Sequence, residues 1–457
     1  MTIYRNGLYI FTRDLRLEDN TCLIHALKEC QTIVPIFIFN PTQIDDTNKY
    51  KSNNCVQFMC ECLDELNDSL KSKKSRLFYF YGEPVDVVES ILKHHKEIMS
   101  VYMTKDYTPF ATSRETKLKK MCEKRNVLFT LKEDHVLNPI DEIKNTSGNS
   151  YVKFTPYQRA ASKIKVKFPE KNNNKNYISS KKKIYGEYKK NIHNFYEENP
   201  NIFVHGGRSN AIEILKQISE HDKYNSERDY PAIEGTTHLS AYLKFNVVSI
   251  REVYHFFKKK LPRTSKLFTQ LYWRDFYMSV MFHNPHVING NMNKSNIKWD
   301  YDANLFKKWK EGKTGFPLVD AGMRQLNEIG WMHNRVRMLV ANFLVKIMHI
   351  DWQHGEKYFA QKLVDYDPSN NNGGWQWCAS TGTDSQPYFR YFNPWSQSKK
   401  YDLGTIYIKK WIPELKDIPS KDIHKWDKTH SKYKTNYPKP MYDNISKQIK
   451  ETLKMYK

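Results

Sequence analysis

Short apolar stretches alternate with helical segments through the first third of the chain, and this alternation limits the fold more than any other feature. Segments of helical period lie at residues 55–70 and 85–94. Strands separated by helices predict a parallel sheet with right-handed crossovers and helices on both faces. The strand-like runs, rich in β-branched and aromatic residues, are 8–12, 33–39, 77–81, 101–104 and 127–131.

The predicted sheet has no glycine-rich phosphate loop. Only Gly7, Gly82 and Gly148 occur in the first 150 residues. A dinucleotide fingerprint or a P-loop needs several glycines where one strand ends and a helix begins. We therefore expect a Rossmann-like sheet without a dinucleotide-binding fingerprint.

The positive charge of the chain is concentrated in its later part. The 457 residues include 73 Lys and Arg against 50 Asp and Glu, and the first 150 carry 21 of each kind. The whole excess of +23 therefore lies on residues 151–457. A surface of this charge favours nucleic acid, because binding phosphates releases counterions. The alternative is a genome-wide lysine bias, but such a bias would not spare the first third.

The sequence indicates neither a membrane protein nor a secreted one. No apolar run is long enough to cross a bilayer, and Arg5, Arg13 and Arg16 leave no room for a secretory signal. The seven cysteines form an odd set without C-x-x-C spacing, which predicts reduced thiols and no metal site. We expect an intracellular monomer, in the cytoplasm or the nucleus and associated with nucleic acid.

The sequence pattern changes twice along the chain. Residues 170–190 are polar, lysine-rich and almost free of aliphatic side chains, which is typical of an exposed linker. From about Asn210 onward, apolar residues recur at intervals of three and four residues, which is typical of helices. The pattern is present at 211–218, 267–282, 319–326 and most clearly 335–349. We predict an α/β domain over residues 1–135, a linker over 136–205 and an all-α domain over 206–457.

Several ordered motifs resemble those of a known family. They are residues 11–20 (FTRDLRLEDN), 309–326 (WKEGKTGFPLVDAGMRQL), 330–338 (GWMHNRVRM), 351–352 (DW) and 371–394, which begins NNGGWQW. In this order they resemble the class I photolyase and cryptochrome family, and most closely its cyclobutane pyrimidine dimer photolyases. The resemblance covers nearly the full length and is weakest across residues 140–200.

The resemblance implies an FAD bound by the helical domain. Residues 235–240 (GTTHLS) precede a predicted helix at 241–245, whose first N–H groups would face a diphosphate. Without the resemblance, two threonines before a helix are usually caps. On the phosphate and ribose side, the family pattern implies Tyr224, Thr236, Thr237, His238, Leu239, Ser240 and Arg274. Around the flavin ring and adenosine it implies Asn334, Arg337, Asp365, Asp367 and Asn371, with an Arg337–Asp365 ion pair and Asn371 beside flavin N5.

Three tryptophans, Trp309, Trp352 and Trp375, match the electron-transfer relay of the family. Such a relay passes an electron inward from the surface to oxidised flavin, and a chain of aromatic rings suits that step. The alternative is that these residues only pack in the core, since the chain has ten tryptophans.

The resemblance also implies a pocket for a flipped-out dinucleotide, because a pyrimidine dimer cannot be repaired inside the base stack. Trp273 and Trp377 match its aromatic walls, where stacking contributes about 1–3 kcal/mol per base. Asn334 and Met338, four residues apart, fall on one face of a predicted helix at the pocket floor. Arg335 and Arg390, with Lys399 and Lys400, match residues that hold the flanking phosphates of damaged DNA.

Gln270 departs from the pattern of the cyclobutane enzymes, which carry a glutamate that contacts the dimer carbonyls. The (6-4) photolyases carry glutamine there, but they also need two histidines four residues apart, where this chain has Asn334 and Met338. An amide can still donate to a carbonyl. We therefore predict repair of cyclobutane dimers by an electron from excited, reduced FAD.

Three alternatives remain open. The first is a (6-4) photolyase. The second is a cryptochrome-type blue-light receptor, although only about sixty residues follow Pro394. The third is a flavin-free nucleic-acid binder, which would leave the placement of the tryptophans and asparagines unexplained.

The antenna pigment is a separate question. In the members of the family that use a folate antenna, an acidic residue contacts the pigment at the position of Ala111. We therefore expect weak or no folate binding, and either a deazaflavin or no antenna pigment.

Overall fold

The computed structural model describes residues 4–293 and 297–456. A parallel five-stranded sheet has the order β3-β2-β1-β4-β5. Its strands are β1 (Tyr4–Phe11), β2 (Cys30–Phe39), β3 (Phe78–Tyr81), β4 (Ile98–Thr104) and β5 (Leu128–Lys132). All five predicted strands are therefore present, and the predicted α/β class of this region is confirmed.

The helices that flank the sheet are α1 (Thr21–Glu29), α2 (Pro41–Ile44), α3 (Asn53–Lys71), α4 (Pro84–His94) and α5 (Pro109–Lys124). Four of them begin at side-chain caps. Asn20, Asn40, Ser52 and Thr108 accept hydrogen bonds from backbone N–H groups in the first turns of α1, α2, α3 and α5. Such caps satisfy donors that the helix itself leaves without partners.

One face of the sheet packs against α4 and α5. Leu8 and Ile10 of β1 share an apolar core with Val88 of α4 and Leu118 of α5. Gly7 has a packing reason, since a Cβ at this position would lie 2.6 Å from the Cys30 Sγ atom. Glycine therefore permits the close approach of β1 and β2.

The segment 170–190 differs from its prediction as an exposed linker. Tyr177 and Ile184 are buried, and the Asn176 side-chain amide donates to Leu27 O at 2.9 Å and to Cys30 O at 2.8 Å. The segment lies along the start of β2, and its lysines are exposed. Asparagine side chains supply the hydrogen bonds that regular structure would otherwise provide, so the sequence shows no period there.

The later part of the chain is helical, as predicted. Its helices are α6 (Phe154–Ala161), α7 (Arg208–Lys216), α8 (Tyr224–Glu227), α9 (Ser240–Lys244), α10 (Ile250–Lys260), α11 (Leu267–His283), α12 (Ala303–Glu311), α13 (Pro317–Ile329), α14 (Asn334–Lys346), α15 (Trp352–Lys362), α16 (Pro368–Ala379), α17 (Pro394–Tyr401), α18 (Ile406–Trp411), α19 (Ser420–Ile423), α20 (Trp426–Thr429) and α21 (Ile445–Met455). The four segments predicted from apolar periodicity correspond to α7, α11, α13 and α14.

The chain divides into two compact units. The first comprises Met1–Glu198, Val204–Asp222 and Thr237–Pro285, and it contains the sheet, α1–α7 and α9–α11. The second comprises Asn199–Phe203, Lys223–Thr236 and His286–Lys457, and it contains α8 and α12–α21. The domain boundaries 1–135, 136–205 and 206–457 stay a prediction, because compactness alone does not define a functional domain.

Helix α14 lies within the core of the second unit. Each residue from 339 to 350 is buried, and Trp309, Phe343 and Trp375 belong to the same core. Gly355 of α15 faces the indole of Trp375 so closely that a Cβ there would overlap the ring. Helices α14, α15 and α16 therefore form the framework on which the predicted site residues of this unit are mounted.

Within residues 4–293 and 297–456, no helix is both long enough and apolar enough to cross a bilayer. All seven cysteines are free, and all except Cys55 are buried. Burial raises the pKa of Cys122 and Cys378 to about 12, so both are neutral thiols.

Candidate functional site

The predicted ion pair between α14 and the segment after α15 is present. Arg337 Nη2 lies 3.0 Å from Asp365 Oδ2, and Arg337 Nε donates to Met332 O at 2.7 Å. The Asp365 side chain is almost fully buried. Its other oxygen, Oδ1, is buried and accepts no hydrogen bond from any residue that the structure describes. A buried acceptor of this kind calls for a donor that the described residues do not supply, and the hydroxyl and N–H groups of FAD fit that requirement.

Asn371 of α16 is oriented by a buried glutamate of α15. Its Nδ2 atom donates to Glu356 O at 3.0 Å and to Glu356 Oε1 at 3.2 Å. With the amide nitrogen engaged, the carbonyl oxygen Oδ1 is the atom that Asn371 can offer to a ligand. The site therefore presents a hydrogen-bond acceptor where the resemblance places flavin N5.

Glu356 is a site residue that the sequence analysis missed. The side chain is buried, and burial raises its pKa to about 7. A single glutamate carries no motif, yet Trp352, Glu356 and Phe359 recur at four and three spacing on the buried face of α15. A charged residue on an apolar helix face was the available signal.

Asp367 has a structural task at the start of α16. Its Oδ1 atom accepts from the Asn370 backbone N–H at 3.0 Å and from Asn370 Nδ2 at 2.9 Å. This is an N-cap, which fixes where the helix begins and hence where Asn371 lies. A direct contact of Asp367 with the cofactor stays a prediction.

The three predicted relay tryptophans lie in one core, but none of them reaches the surface. Trp309, Trp352 and Trp375 are 0%, 1% and 2% exposed. The Trp309 and Trp375 rings are 6.2 Å apart, and Trp309 Nε1 donates to Val340 O at 3.1 Å. The expectation that this set begins at the surface is therefore wrong. The reason is that Phe306 and Trp309 share the apolar face of α12, which packs inward.

Trp299 is a partly exposed tryptophan to which the sequence analysis assigned no role. It packs against the same core, and its ring centroid lies 6.0 Å from that of Tyr456. An isolated bridge joins Asp300 to Ile350, so the chain at Trp299 runs beside the segment that leads into Trp352. Its polar surroundings in the sequence gave no apolar period from which to infer this position.

Helix α14 also carries the residues predicted for the pocket floor. Asn334 Nδ2 lies 3.7 Å from Met338 Sδ, so the two side chains do share one face. Arg335 forms an ion pair with Asp229, at 2.8 Å between Nη2 and Oδ1, and its guanidinium lies over the ring of Tyr401. A phosphate contact by Arg335 would have to compete with these partners, so that role stays a prediction.

The remaining predicted DNA contacts of the second unit lie at or near its surface. Trp377 of α16 is half-buried, whereas Arg390, Lys399 and Lys400 are exposed. Arg390 belongs to the loop after α16, and the two lysines occupy the last turn of α17. Exposed cations of this kind can reach phosphates without loss of packing.

In the first unit, α11 carries Gln270, Trp273 and Arg274. The Trp273 ring stacks on Phe154 at 3.6 Å between centroids, so one face of the indole is already covered. Arg274 donates to His135 O at 2.5 Å and to Leu243 O at 3.0 Å. Its guanidinium therefore binds backbone carbonyls within the unit, and a contact with the cofactor stays a prediction.

The residues predicted for the diphosphate are divided between the two units. Tyr224, which is buried, and Thr236 belong to the second unit, and residues 237–240 to the first. Within the first unit, Leu239 occupies the N-cap position of α9 and Ser240 begins that helix, without a side-chain cap. His238 has a φ of 53°, in the left-handed region. The alternative that the threonines cap this helix is therefore wrong.

Comparison with known proteins gives a consistent result. A family model described as DNA photolyase matches residues 7–173, and one described as FAD binding domain of DNA photolyase matches residues 267–457. The deoxyribodipyrimidine photo-lyase of Alkalihalophilus pseudofirmus is 34% identical over 98% of this chain and 97% of its own length.

Two solved structures are similar over nearly the whole chain. The archaeal photolyase of Sulfolobus tokodaii, described with two FAD molecules, has a TM-score of 0.88 and 40% identity over 99% of both chains. A class III photolyase of Agrobacterium tumefaciens has a TM-score of 0.91 and 28% identity, over 100% of this chain and 98% of that one.

The buried carboxyl of Glu356 gives the site a testable pH dependence. Its pKa, about 7 in the folded protein against a usual 4.5, means that the folded state holds a proton which the unfolded chain releases. The stability contributed by this group is present at low pH and is lost as pH rises through about 7. We expect Glu356→Gln to unfold at the same denaturant concentration as wild type at pH 5. At pH 8 its free energy of unfolding should exceed that of wild type by about 1–3 kcal/mol.

The measurement is urea unfolding at both pH values. Glu328→Gln, which changes an exposed glutamate of α13, is the matched control and should follow wild type. A Glu356→Gln protein that is less stable than wild type at pH 8 would show that Glu356 is ionised and paired.

Proposed function

The chain belongs to the DNA photolyase family and is therefore an enzyme of light-driven DNA repair, and we propose that its substrate is the cyclobutane pyrimidine dimer. The observation that carries the choice of lesion is the pair Asn334 and Met338 on one face of α14. Neither side chain can act as a general acid, which (6-4) repair requires. Splitting of a cyclobutane ring needs an electron but no proton donor at this position.

The second unit contains residues that fit FAD. Bound and reduced, this cofactor supplies the single electron that ring opening needs once it has absorbed light. Arg337 is held by Asp365 and places a positive charge in the site, while Asp365 Oδ1 and Asn371 Oδ1 offer acceptors. Together these groups favour a reduced, electron-rich ring, because they match its charge and its N–H donors.

The chain's own residues also prepare the substrate. Extrusion of a dimer costs a few kcal/mol, and least where base pairing is already disturbed. We propose that Trp377 stacks on the extruded bases, and that the exposed Arg390, Lys399 and Lys400 hold the flanking phosphates. Trp273 can contribute only the indole face that Phe154 leaves uncovered.

A lesion-specific repair assay tests this function. Chemically reduced enzyme is illuminated with oligonucleotides that carry either a single cyclobutane dimer or a single (6-4) product. We expect repair of the first only. Gln270→Glu should keep or raise this activity by about tenfold at most, since a hydrogen bond to a carbonyl contributes about 0.5–1.5 kcal/mol.

Gln270→Leu is the matched control, because it removes the amide donor and should lower repair of the cyclobutane dimer by a similar factor. The general acid that (6-4) repair lacks here contributes a factor of about 10² to 10⁴ to the rate. The repair rates of the two lesions should therefore differ clearly. Efficient (6-4) repair by wild type would overturn the assignment.

For photoreduction we propose a relay of Trp375, Trp352 and Trp299, with Trp309 as a packing residue. Trp299 is partly exposed, packs against the shared core and lies beside the segment that leads into Trp352, whereas Trp309 is enclosed by Phe306 and Phe359. We expect Trp299→Phe and Trp375→Phe to lose most photoreduction of oxidised FAD, while repair by chemically reduced enzyme continues. Trp309→Phe should retain photoreduction, and its failure to do so would restore the relay predicted from sequence.

A flavin-type antenna is the pigment we propose for the first unit. Ala111 is buried in α5 and has no group that could bind a folate, and the similar Sulfolobus tokodaii protein is described with two FAD molecules. Heat-released chromophores should therefore contain no folate, and a second flavin would raise the flavin-to-protein ratio from one towards two. Stoichiometric folate would contradict this proposal, and a deazaflavin would be identified by its absorption.

A further inference from the structure

Lys346, in the last turn of α14, is an unusual residue. Its exposure is 0%, and it is the only fully buried lysine among the residues that the structure describes. Burying an ammonium group is costly unless a partner of opposite charge compensates. No carboxylate in the described part of the chain lies within ion-pair distance of Lys346.

The ammonium group is instead held by neutral groups. Lys346 Nζ donates to Ser380 Oγ at 3.0 Å and to Tyr388 O at 3.3 Å. It also lies 3.6 Å from the ring centroid of Tyr456, a cation–π contact. The Tyr456 hydroxyl in turn donates to Ala379 O at 2.6 Å, so Tyr456 is tied to the same region.

These contacts converge on the loop between α16 and α17, residues 380–393. Ser380 is the left-handed C-cap of α16, with a φ of 59°. Tyr388, Phe389 and Tyr391 are exposed, Phe389 at 62%, and Arg390 lies between them. Exposed aromatic rings around an arginine suit a nucleic-acid strand, because rings stack on bases and the guanidinium binds phosphate.

On the basis of the proposed function, we propose that Lys346 is a positioning residue for DNA binding, which holds the loop 380–393 in the conformation that presents Tyr388–Tyr391 to damaged DNA. Lys346 does not touch the substrate. It fixes one side chain at the start of the loop and one backbone carbonyl at its centre. A loop ordered beforehand loses less conformational entropy when DNA binds.

The environment of Lys346 adds a signature that a packing role would lack. Burial lowers its pKa to about 7. The titratable groups around it are Cys378 of α16, Tyr388 of the loop, Tyr456 after α21, and His349 and Asp351 after α14. Burial raises the pKa of Cys378 and Tyr456, so both stay neutral between pH 6.5 and 8.5, and it lowers that of His349, which makes the neutral imidazole the main form over the same range.

Loop positioning and protein stability should therefore respond to pH in opposite directions. As pH rises through about 7, Lys346 loses its charge, and with it the cation–π contact and charge-assisted hydrogen bonds that hold the loop. In the unfolded chain a lysine keeps its proton up to about pH 10.4. The unfolded state then binds more protons than the folded one, so stability rises over the same interval.

The test compares wild type with Lys346→Met, which keeps the aliphatic stem and removes the charge. The probe is a duplex with one cyclobutane thymine dimer, bound in the dark at constant ionic strength. For wild type we expect Kd to increase about threefold to tenfold between pH 6.5 and 8.5. At both pH values, Lys346→Met should have the higher Kd that wild type reaches at pH 8.5. Its FAD content and its repair rate at saturating DNA should be unchanged.

Lys119→Met, which removes an exposed lysine of α5, is the matched control and should follow wild type. The proposal is overturned if Lys346→Met keeps both the wild-type Kd and its pH dependence, or if it loses FAD and DNA affinity together. Should Lys346→Met fail to fold, Ser380→Ala removes one of the two acceptors, and an unchanged Kd and pH profile would overturn the proposal.

Failure of the proposed function has a different outcome. Wild type would then bind the dimer-containing duplex no more tightly than an undamaged one and would not repair it. The loop would still be tested, because the pH dependence of Lys346→Met and wild type can be compared on the undamaged duplex.

Discussion

The burial of α14 is the constraint on which the second unit depends. Residues 339–350 are buried without interruption, so α14 cannot rotate or shift without breaking several apolar contacts. Its first five residues, most of which are less buried, include Asn334, Arg337 and Met338. The positions of these side chains are therefore set by the packing of the helix behind them. Inside the buried stretch, Asn342 Oδ1 accepts from the Phe392 N–H at 2.9 Å, whereas Asn342 Nδ2 has no partner among the described residues.

Much of the architecture could be predicted from the sequence because its signals are local. Runs of β-branched and aromatic residues predicted all five strands, and three and four spacing predicted α7, α11, α13 and α14. The Arg337–Asp365 pair and the shared face of Asn334 and Met338 followed from motifs whose order matches a known family. Such features need only short windows or fixed spacings.

The missed features depend on contacts between distant segments. The side-chain amide of Asn176 replaces regular hydrogen bonds in the segment 170–190, so no period marks it. The two carbonyl partners of Arg274 come from other segments of its unit, and sequence spacing does not reveal them. Trp309 is different: Phe306 three residues earlier already indicated an inward-facing side. The motif match implied a relay that begins at the surface, whereas this local pattern already favoured a buried position for Trp309.

Helix α16 carries Asn371, Trp375 and Trp377. Near each of its two ends it is held by an ionisable group that has no oppositely charged partner among the described residues. Glu356 accepts from Asn371 near the start, and Lys346 donates to Ser380 at the C-cap. Burial brings the pKa of each close to 7 from opposite sides. Below this pH Glu356 is neutral and Lys346 is positively charged. Above it Glu356 is negatively charged and Lys346 is neutral. One unit of negative charge is thus added near each end of α16 as pH rises: the charge on Glu356 opposes an electron-rich flavin, and the neutralisation of Lys346 weakens its hold on the loop 380–393. Unpaired buried groups are costly to stability, and they persist mainly at functional sites. This cost is the physical argument for placing function on α16 and the loop that follows it.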